Sequence, residues 1–173
     1  MGVRNEVNCR RWIVVIVEYN EKYNEQIKEL LIELQNYLID IDDWHTQVMV
    51  PEYKEKYFEL DMEKVKMQNG KIFLSIEDEL VNGLIVGVVE TVNEIDKLTN
   101  DCAKTGEVLE LIVSKKNRGN GVGKILLNKM EEYFKNIGCI RTNIEVFGPN
   151  VSGLNFYEEN GYVVRDMIVS KKL

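Results

Sequence analysis

Three glycines stand at every second position of Arg118-Gly119-Asn120-Gly121-Val122-Gly123-Lys124. Spacing of this kind removes side chains where a turn must let backbone amides approach a ligand. The apolar-periodic segment that opens just behind it adds the unpaired N–H groups and the dipole of a helix N-terminus. The chemistry on offer is anion binding. A dinucleotide fingerprint requires a glycine three positions beyond Gly121, where Lys124 stands. A P-loop requires Ser or Thr after Gly123-Lys124, where Ile125 stands, and Arg118 occupies the place of its first glycine. Both nucleotide readings therefore fail on residues, which leaves either another phosphate-bearing ligand or a tight strand-to-helix turn that binds nothing.

A second candidate is Glu110 in the stretch EVLELIVS. In a strand Leu109, Leu111 and Val113 would share one face, and Val108, Glu110 and Ile112 the other. A strand covered by helices on both sides should be apolar throughout, so a mid-strand carboxylate is anomalous. It could take a proton from an amine directly or through a water. Glu107 at the start of the strand competes for that role, and a carboxylate on an open part of the sheet is the structural alternative. A third candidate is the run IDDWHTQ, in which Asp42 and Asp43 beside Trp44 could offer a cationic amine both charge and an aromatic face. The alternative there is a solvated loop with one aromatic packed beneath it.

The chain as a whole limits what these residues can serve. Its 173 residues, 45% hydrophobic and 29% charged, suit one globular domain with a proper core, spanning residues 1-173. A net charge of −7 and a pI near 4.9 argue against nucleic acid as a partner and favour a cationic small molecule or peptide. Cys9, Cys102 and Cys139 have no CxxC spacing and His45 is the single histidine, so neither a disulfide framework nor a metal site is expected. The apolar run Trp12 to Val17 is too short to span a bilayer and lacks secretory flanks, and Glu6 stands where a myristoylation signal needs Ser or Thr. No membrane association is expected, a cytoplasmic setting is, and a homodimer is left open.

The elements that must position the candidates follow from periodicity. A strand is expected over Trp12 to Tyr19, then a helix with Tyr23, Ile27, Leu30, Leu31, Leu34, Tyr37 and Ile41 on one face. Pro51 should sit in the first turn of a second helical stretch that breaks around Asp61 and ends near Asn69-Gly70. KIFLSIE and LIVGVVET should be antiparallel strands joined at the Asn-Gly of DELVNG. A polar loop, the strand EVLELIVS, a helix with Val122, Ile125, Leu126, Met130, Tyr133, Phe134 and Ile137 on its apolar side, the strand CIRTNIEVF, a short helix VSGLNFYEEN and a last strand YVVRDMIVS complete the chain. The order predicts a single α/β domain with a mixed, mostly antiparallel sheet flanked by helices.

Arg118-Gly119-Asn120-Gly121-Val122-Gly123, five residues after a strand ending at Val113, resembles the acyl-CoA pyrophosphate loop of the GNAT superfamily of N-acetyltransferases. Asn150 to Tyr162, NVSGLNFYEENGY, resembles the second signature of that family, with Tyr162 in place of the commoner Phe. The resemblance implies a splayed sheet and acetyl-CoA as co-substrate. The pyrophosphate would rest on the amides of residues 119 to 124 and the pantetheine beside the strand at Ile112 and Val113, with Arg118, Asn150 and Tyr157 also at the cofactor. It further implies that Tyr157 protonates the departing thiolate, that backbone N–H groups near Leu111 to Val113 stabilise the oxyanion, and that the IDDWHTQ segment borders the acceptor amine. A core role for Tyr157, and a non-catalytic domain that senses acyl-CoA, are the alternatives.

Overall fold

The structure, a computed structural model, describes residues 15–173. Strand β1 (Val15–Glu18) leads through a single 3₁₀ turn into helix α1 (Asn24–Asp40), and a loop separates α1 from α2 (Tyr53–Met67). Strands β2 (Lys71–Glu77) and β3 (Leu80–Val89), the one-turn helix α3 (Asp96–Thr99), strand β4 (Thr105–Val113), helix α4 (Val122–Asn136), strand β5 (Arg141–Ile144) and helix α5 (Val151–Glu159) follow. The sheet order is β1-β2-β3-β4-β5, antiparallel except for the parallel pair β4 and β5. This is the mixed, mostly antiparallel sheet that the element order predicts.

Helices cover both faces of the sheet. On one face Ile27, Leu30 and Leu31 of α1 and Phe58 of α2 pack on Ile72, Leu74, Leu84 and Ile112. On the other, Leu126, Leu127, Met130 and Phe134 of α4 pack on Phe73, Ile85 and Val108. Leu127 takes the buried place expected of Ile125, which is 42% exposed. Lys28 staples α1 to α2 through Glu25 and Glu55 at 2.9 and 2.5 Å. No helix of the described residues is long and apolar enough to cross a membrane.

Several sequence expectations are corrected. The β2–β3 turn falls at Asp78-Glu79, both with positive φ (48° and 63°), not at Asn82-Gly83. Gly83 lies inside β3 for a packing reason, since a Cβ there would stand 3.0 Å from Leu126 and 3.1 Å from the Ile112 carbonyl oxygen. Helix α2 runs unbroken through Asp61 because that residue is turned inward and buried, and Pro51 lies in the turn before the helix. The segment Tyr162 to Ser170 forms no strand; Met167, Ile168 and Val169 are exposed and meet no sheet edge that would satisfy a ladder. Residues 12–14 of the first expected strand, and Cys9, lie outside the described residues.

The feature that matters most for a site is where β4 parts from its neighbours. Strand β5 pairs with β4 only from Thr105 to Val108, so among the described residues the last five of β4, Leu109 to Val113, have no strand on that side. On the β3 side the register slips at the same point: Val86 pairs with Glu110 and Gly87 with Val108, leaving Leu109 as an extra residue. A bulge of this kind reverses the alternation of faces. Leu109 accordingly packs with Ile112 on the α1/α2 side, while Val108 joins Leu111 and Val113 on the α4 side.

Candidate functional site

The glycine loop connects the free end of β4 to α4. Gly119 and Gly121 adopt φ of 79° and 78°, the left-handed region that disfavours a Cβ, and a Cβ at either would meet nothing within 4 Å. Their conformation, not crowding, is what calls for glycine. Gly123 differs: it is the second residue of α4, and its Cα faces the Phe156 ring at 3.4 Å from where a Cβ would sit. Gly121 caps α4 without a side chain, and the first intrahelical bond runs from Ile125 N to Gly121 O at 3.1 Å. The amides of Val122, Gly123 and Lys124 therefore lack helical partners, and the first turn contains no acidic residue. This end of α4 leaves its amides open to solvent, with Asn120 and Lys124 exposed beside them. Arg118 stays exposed and folds back over the end of β4. Its Nε donates to Val113 O at 3.0 Å and its guanidinium lies 3.6 Å from Glu33.

Glu110 sits two residues beyond the last β4 residue that β5 pairs with, at the mouth of the divergence. It is 6% exposed, and Tyr57 Oη donates a 2.5 Å hydrogen bond to its Oε1. Burial pushes its carboxyl up to about 7, aided by the nearby Asp61 charge and opposed by the Tyr57 hydrogen bond and Lys64. A carboxylate that titrates near neutrality suits a general base. Glu107 is less buried, and desolvation raises its carboxyl above the ordinary range.

Tyr157, on α5, is 8% exposed and packs edge-on against Phe156 and Tyr162. Its hydroxyl makes no hydrogen bond to any described residue. Burial, and then the Glu110 charge, raise its phenol above the ordinary value of 10, so it keeps its proton throughout the physiological range. Asn150 caps α5: its Oδ1 accepts from Gly153 N at 3.0 Å and from Tyr37 Oη at 3.1 Å. The Tyr37 hydroxyl also lies 3.0 Å from Ser152 Oγ, its ring lies under the Arg118 guanidinium at 5.5 Å, and Glu33 accepts from Lys115 N at 2.7 Å. Two turns of α1 thus hold the glycine loop and the start of α5 together. Ile112 is buried toward α1 and α2 and Val113 is half-buried toward α4, so a ligand along this strand would meet their backbone.

The three acidic-loop residues separate by role. Asp42 is 4% exposed, and its carboxylate accepts from Trp44 N (3.0 Å), Thr46 N (2.6 Å), Thr46 Oγ1 (2.8 Å) and Gln47 N (2.7 Å). These donors, Gln47 N foremost, hold it down at about 2. Its oxygens are committed to shaping the loop, which leaves Asp43 and Trp44 as the exposed pair. The Trp44 face already carries a cation, the Lys172 ammonium at 5.3 Å from the ring centroid.

Sequence reasoning missed Tyr57, Asp61 and Tyr37. Tyr53, Tyr57 and Asp61 recur at every fourth position, a polar stripe beside the apolar Phe58, Met62 and Val65, and that spacing was the available signal. Tyr37 was placed on the apolar face of α1, which gives no hint of where its hydroxyl reaches.

The sequence profile of the acetyltransferase (GNAT) family matches residues 38–162. Among solved structures, a chain from Pyrococcus furiosus assigned as an acetyl transferase superposes with a TM-score of 0.70 at 26% identity, covering 93% of this chain and all of that one. Glucosamine-6-phosphate N-acetyltransferase from Arabidopsis thaliana superposes at 0.62 with 18% identity, covering 93% and 99%. AAC(6′)-Iy, solved with the bisubstrate analogue CoA-S-monomethyl-acetylneamine, superposes at 0.69 with 16% identity, covering 94% and 99%. The last two establish likeness of fold.

Proposed function

The chain belongs to the acetyltransferase (GNAT) family, and from that premise we propose that it moves the acetyl group of acetyl-CoA to a primary amine of a small molecule or peptide, by direct attack while both substrates are bound. The observation that carries this reading is Glu110: a nine-tenths buried carboxylate, raised to about 7, at the point where β4 and β5 part. Acetyl-CoA supplies an acyl group already activated as a thioester.

The residues of this chain fit that co-substrate. The open amides of Val122, Gly123 and Lys124 and the two left-handed glycines offer donors to a pyrophosphate. The unpaired edge of Leu109 to Val113 offers main-chain donors and acceptors to an extended amide-bearing arm and N–H groups to a developing oxyanion. Glu110 takes the amine proton, and Tyr157, protonated because burial disfavours its anion, donates to the departing sulfur. Asp43 receives the acceptor ammonium, with the Trp44 face available to it once the Lys172 ammonium is displaced, while Asp42 holds the loop that presents them. With no membrane or nucleic-acid surface called for, a cytoplasmic setting suits these substrates.

Melting shifts with acetyl-CoA, CoA, ATP and NAD test the cofactor assignment. Stabilisation by acetyl-CoA and CoA alone is expected, and no shift with acetyl-CoA overturns the reading. Steady thiol release across an amine panel then separates an enzyme from an acyl-CoA sensor, which would bind without turnover.

A further inference from the structure

Asp61 is the one buried carboxylate on α2, 7% exposed, and its Oδ2 has no hydrogen-bond partner among the described residues. A buried carboxylate oxygen left without a donor is costly, and structures retain such groups where they serve a site. Asp61 lies one helical turn beyond Tyr57, on the same face of α2, and Tyr57 is the residue whose hydroxyl donates to Glu110. Asp61 is therefore buried on the α2 face that meets Glu110 on the bulged part of β4. The bulge at Leu109 turns two consecutive side chains, Leu109 and Glu110, toward α2.

Resting on the acetyltransferase reading, we propose that Asp61 is a positioning residue for Glu110: its buried, unpartnered carboxyl shares the α2 face with Tyr57, the donor to Glu110, so that the charge on Asp61 governs when Glu110 is free to accept a proton from the amine. Like charges in one dry site cannot both ionise cheaply, so after the first proton leaves the second is retained to higher pH. The groups facing Glu110 are few. From α2 they are Tyr57, Asp61 and the exposed Lys64, with Tyr53 one turn earlier; from α5 there is Tyr157; β3 contributes only the apolar Val86 opposite it. Lys64 and the Tyr57 hydroxyl favour the anion of Glu110, and Asp61 is the group whose charge opposes it. Burial lifts Asp61 itself to about 6, ahead of the lowering pull of Lys64.

The test is a carboxyl ¹³C NMR titration of the full chain without ligand, with Glu110 assigned by its loss in Glu110→Gln. Wild type is expected to show Glu110 titrating near neutrality in two steps, the second carboxyl responding in step with it. In Asp61→Asn the Glu110 midpoint should fall by about one pH unit and become a single step, since removing one like charge has an effect of that order. Asp61→Glu, which restores the charge, should return it toward the wild-type value. An unchanged midpoint in Asp61→Asn overturns the proposal. Should that variant not fold, independent one-step curves for both carboxyls in wild type overturn it equally. Because no acceptor or cofactor enters this measurement, its failure is distinct from failure of the function, which would show as no thiol release by wild type. In an active enzyme the acid limb of kcat/KM should move with the NMR midpoint, a shift that a merely structural Asp61 would not produce.

Discussion

Tyr57 on α2 and Glu110 on β4 are joined by a 2.5 Å hydrogen bond across 53 residues of sequence. The bond couples the helix beside the acceptor loop to the strand along which the co-substrate is proposed to lie. It also favours the charged form of Glu110, against a burial that disfavours it. Removing the donor in Tyr57→Phe should therefore raise the Glu110 midpoint above about 7 and move the acid limb of the pH–rate profile to higher pH. At pH 8, where the carboxylate is charged, chemical denaturation should show a loss of about 1.5–3 kcal/mol, the range for a hydrogen bond to a charged group.

Glu110→Gln separates function from stability. A carboxyl raised from 4.5 to about 7 stabilises the fold fully below its unfolded value and loses that contribution as pH climbs through about 7. Wild type should lose about 3 kcal/mol between pH 4.5 and pH 8 through this group, and the Gln variant should lack that part of the loss while keeping the part that Asp61 contributes. Urea unfolding at the two pH values checks the sign. Turnover at pH 7 should fall by about 10²–10⁴-fold in the same variant, the range for loss of general-base catalysis.

Tyr157→Phe should leave the fold and acetyl-CoA binding nearly intact, because the hydroxyl has no hydrogen-bond partner among the described residues. Turnover should drop by about 10²-fold or more if it donates the proton. Equal melting shifts with acetyl-CoA in variant and wild type, together with unchanged thiol release, would return Tyr157 to the status of a core side chain.

Gly121→Ala places a Cβ in open space at a φ of 78°, so strain and not collision sets its cost, about 1–2 kcal/mol. The melting temperature should fall accordingly. The shift produced by acetyl-CoA should shrink as well, since relaxing that φ moves the amides of Val122 and Gly123.

Asp42→Asn and Asp43→Asn should act differently although the residues are adjacent. The first removes the charge that gathers four donors, and should loosen the loop and lower the melting temperature. Because Asp42 is held down at about 2, its contribution is present above 3.8 and disappears only as pH falls through about 2. The second should raise KM for a cationic amine and leave the melting temperature where it was.

Much of the fold was legible because it is written in local periodicity: α1, α4 and β4 fall where apolar spacing places them. What failed locally failed for tertiary reasons. Gly83 is required by Leu126 of α4, which no hairpin rule includes, so the turn signal at Asn82-Gly83 misled. Asp61 looked like a helix break because nothing in the local sequence shows that its carboxyl is buried. At the site, the glycine loop and Glu110 stood out against their surroundings, whereas Tyr37 and Tyr57 look like ordinary helix aromatics until their hydroxyl partners on other elements are seen. Asp42 was visible as a charge, but only its four donors reveal it as a loop former.

The short pairing between β4 and β5 also bears on colloidal behaviour. Past Val108, β4 presents a row of main-chain groups to no neighbouring strand among the described residues, and the Val113 carbonyl is taken by Arg118. An open edge of that kind is a template on which strands of other molecules add, the first step toward aggregation. A pantetheine-like arm laid along it would block that addition. Ligand-free protein should therefore precipitate sooner than ligand-bound protein at equal fold stability, and CoA in the purification buffer should act as a solubilising agent.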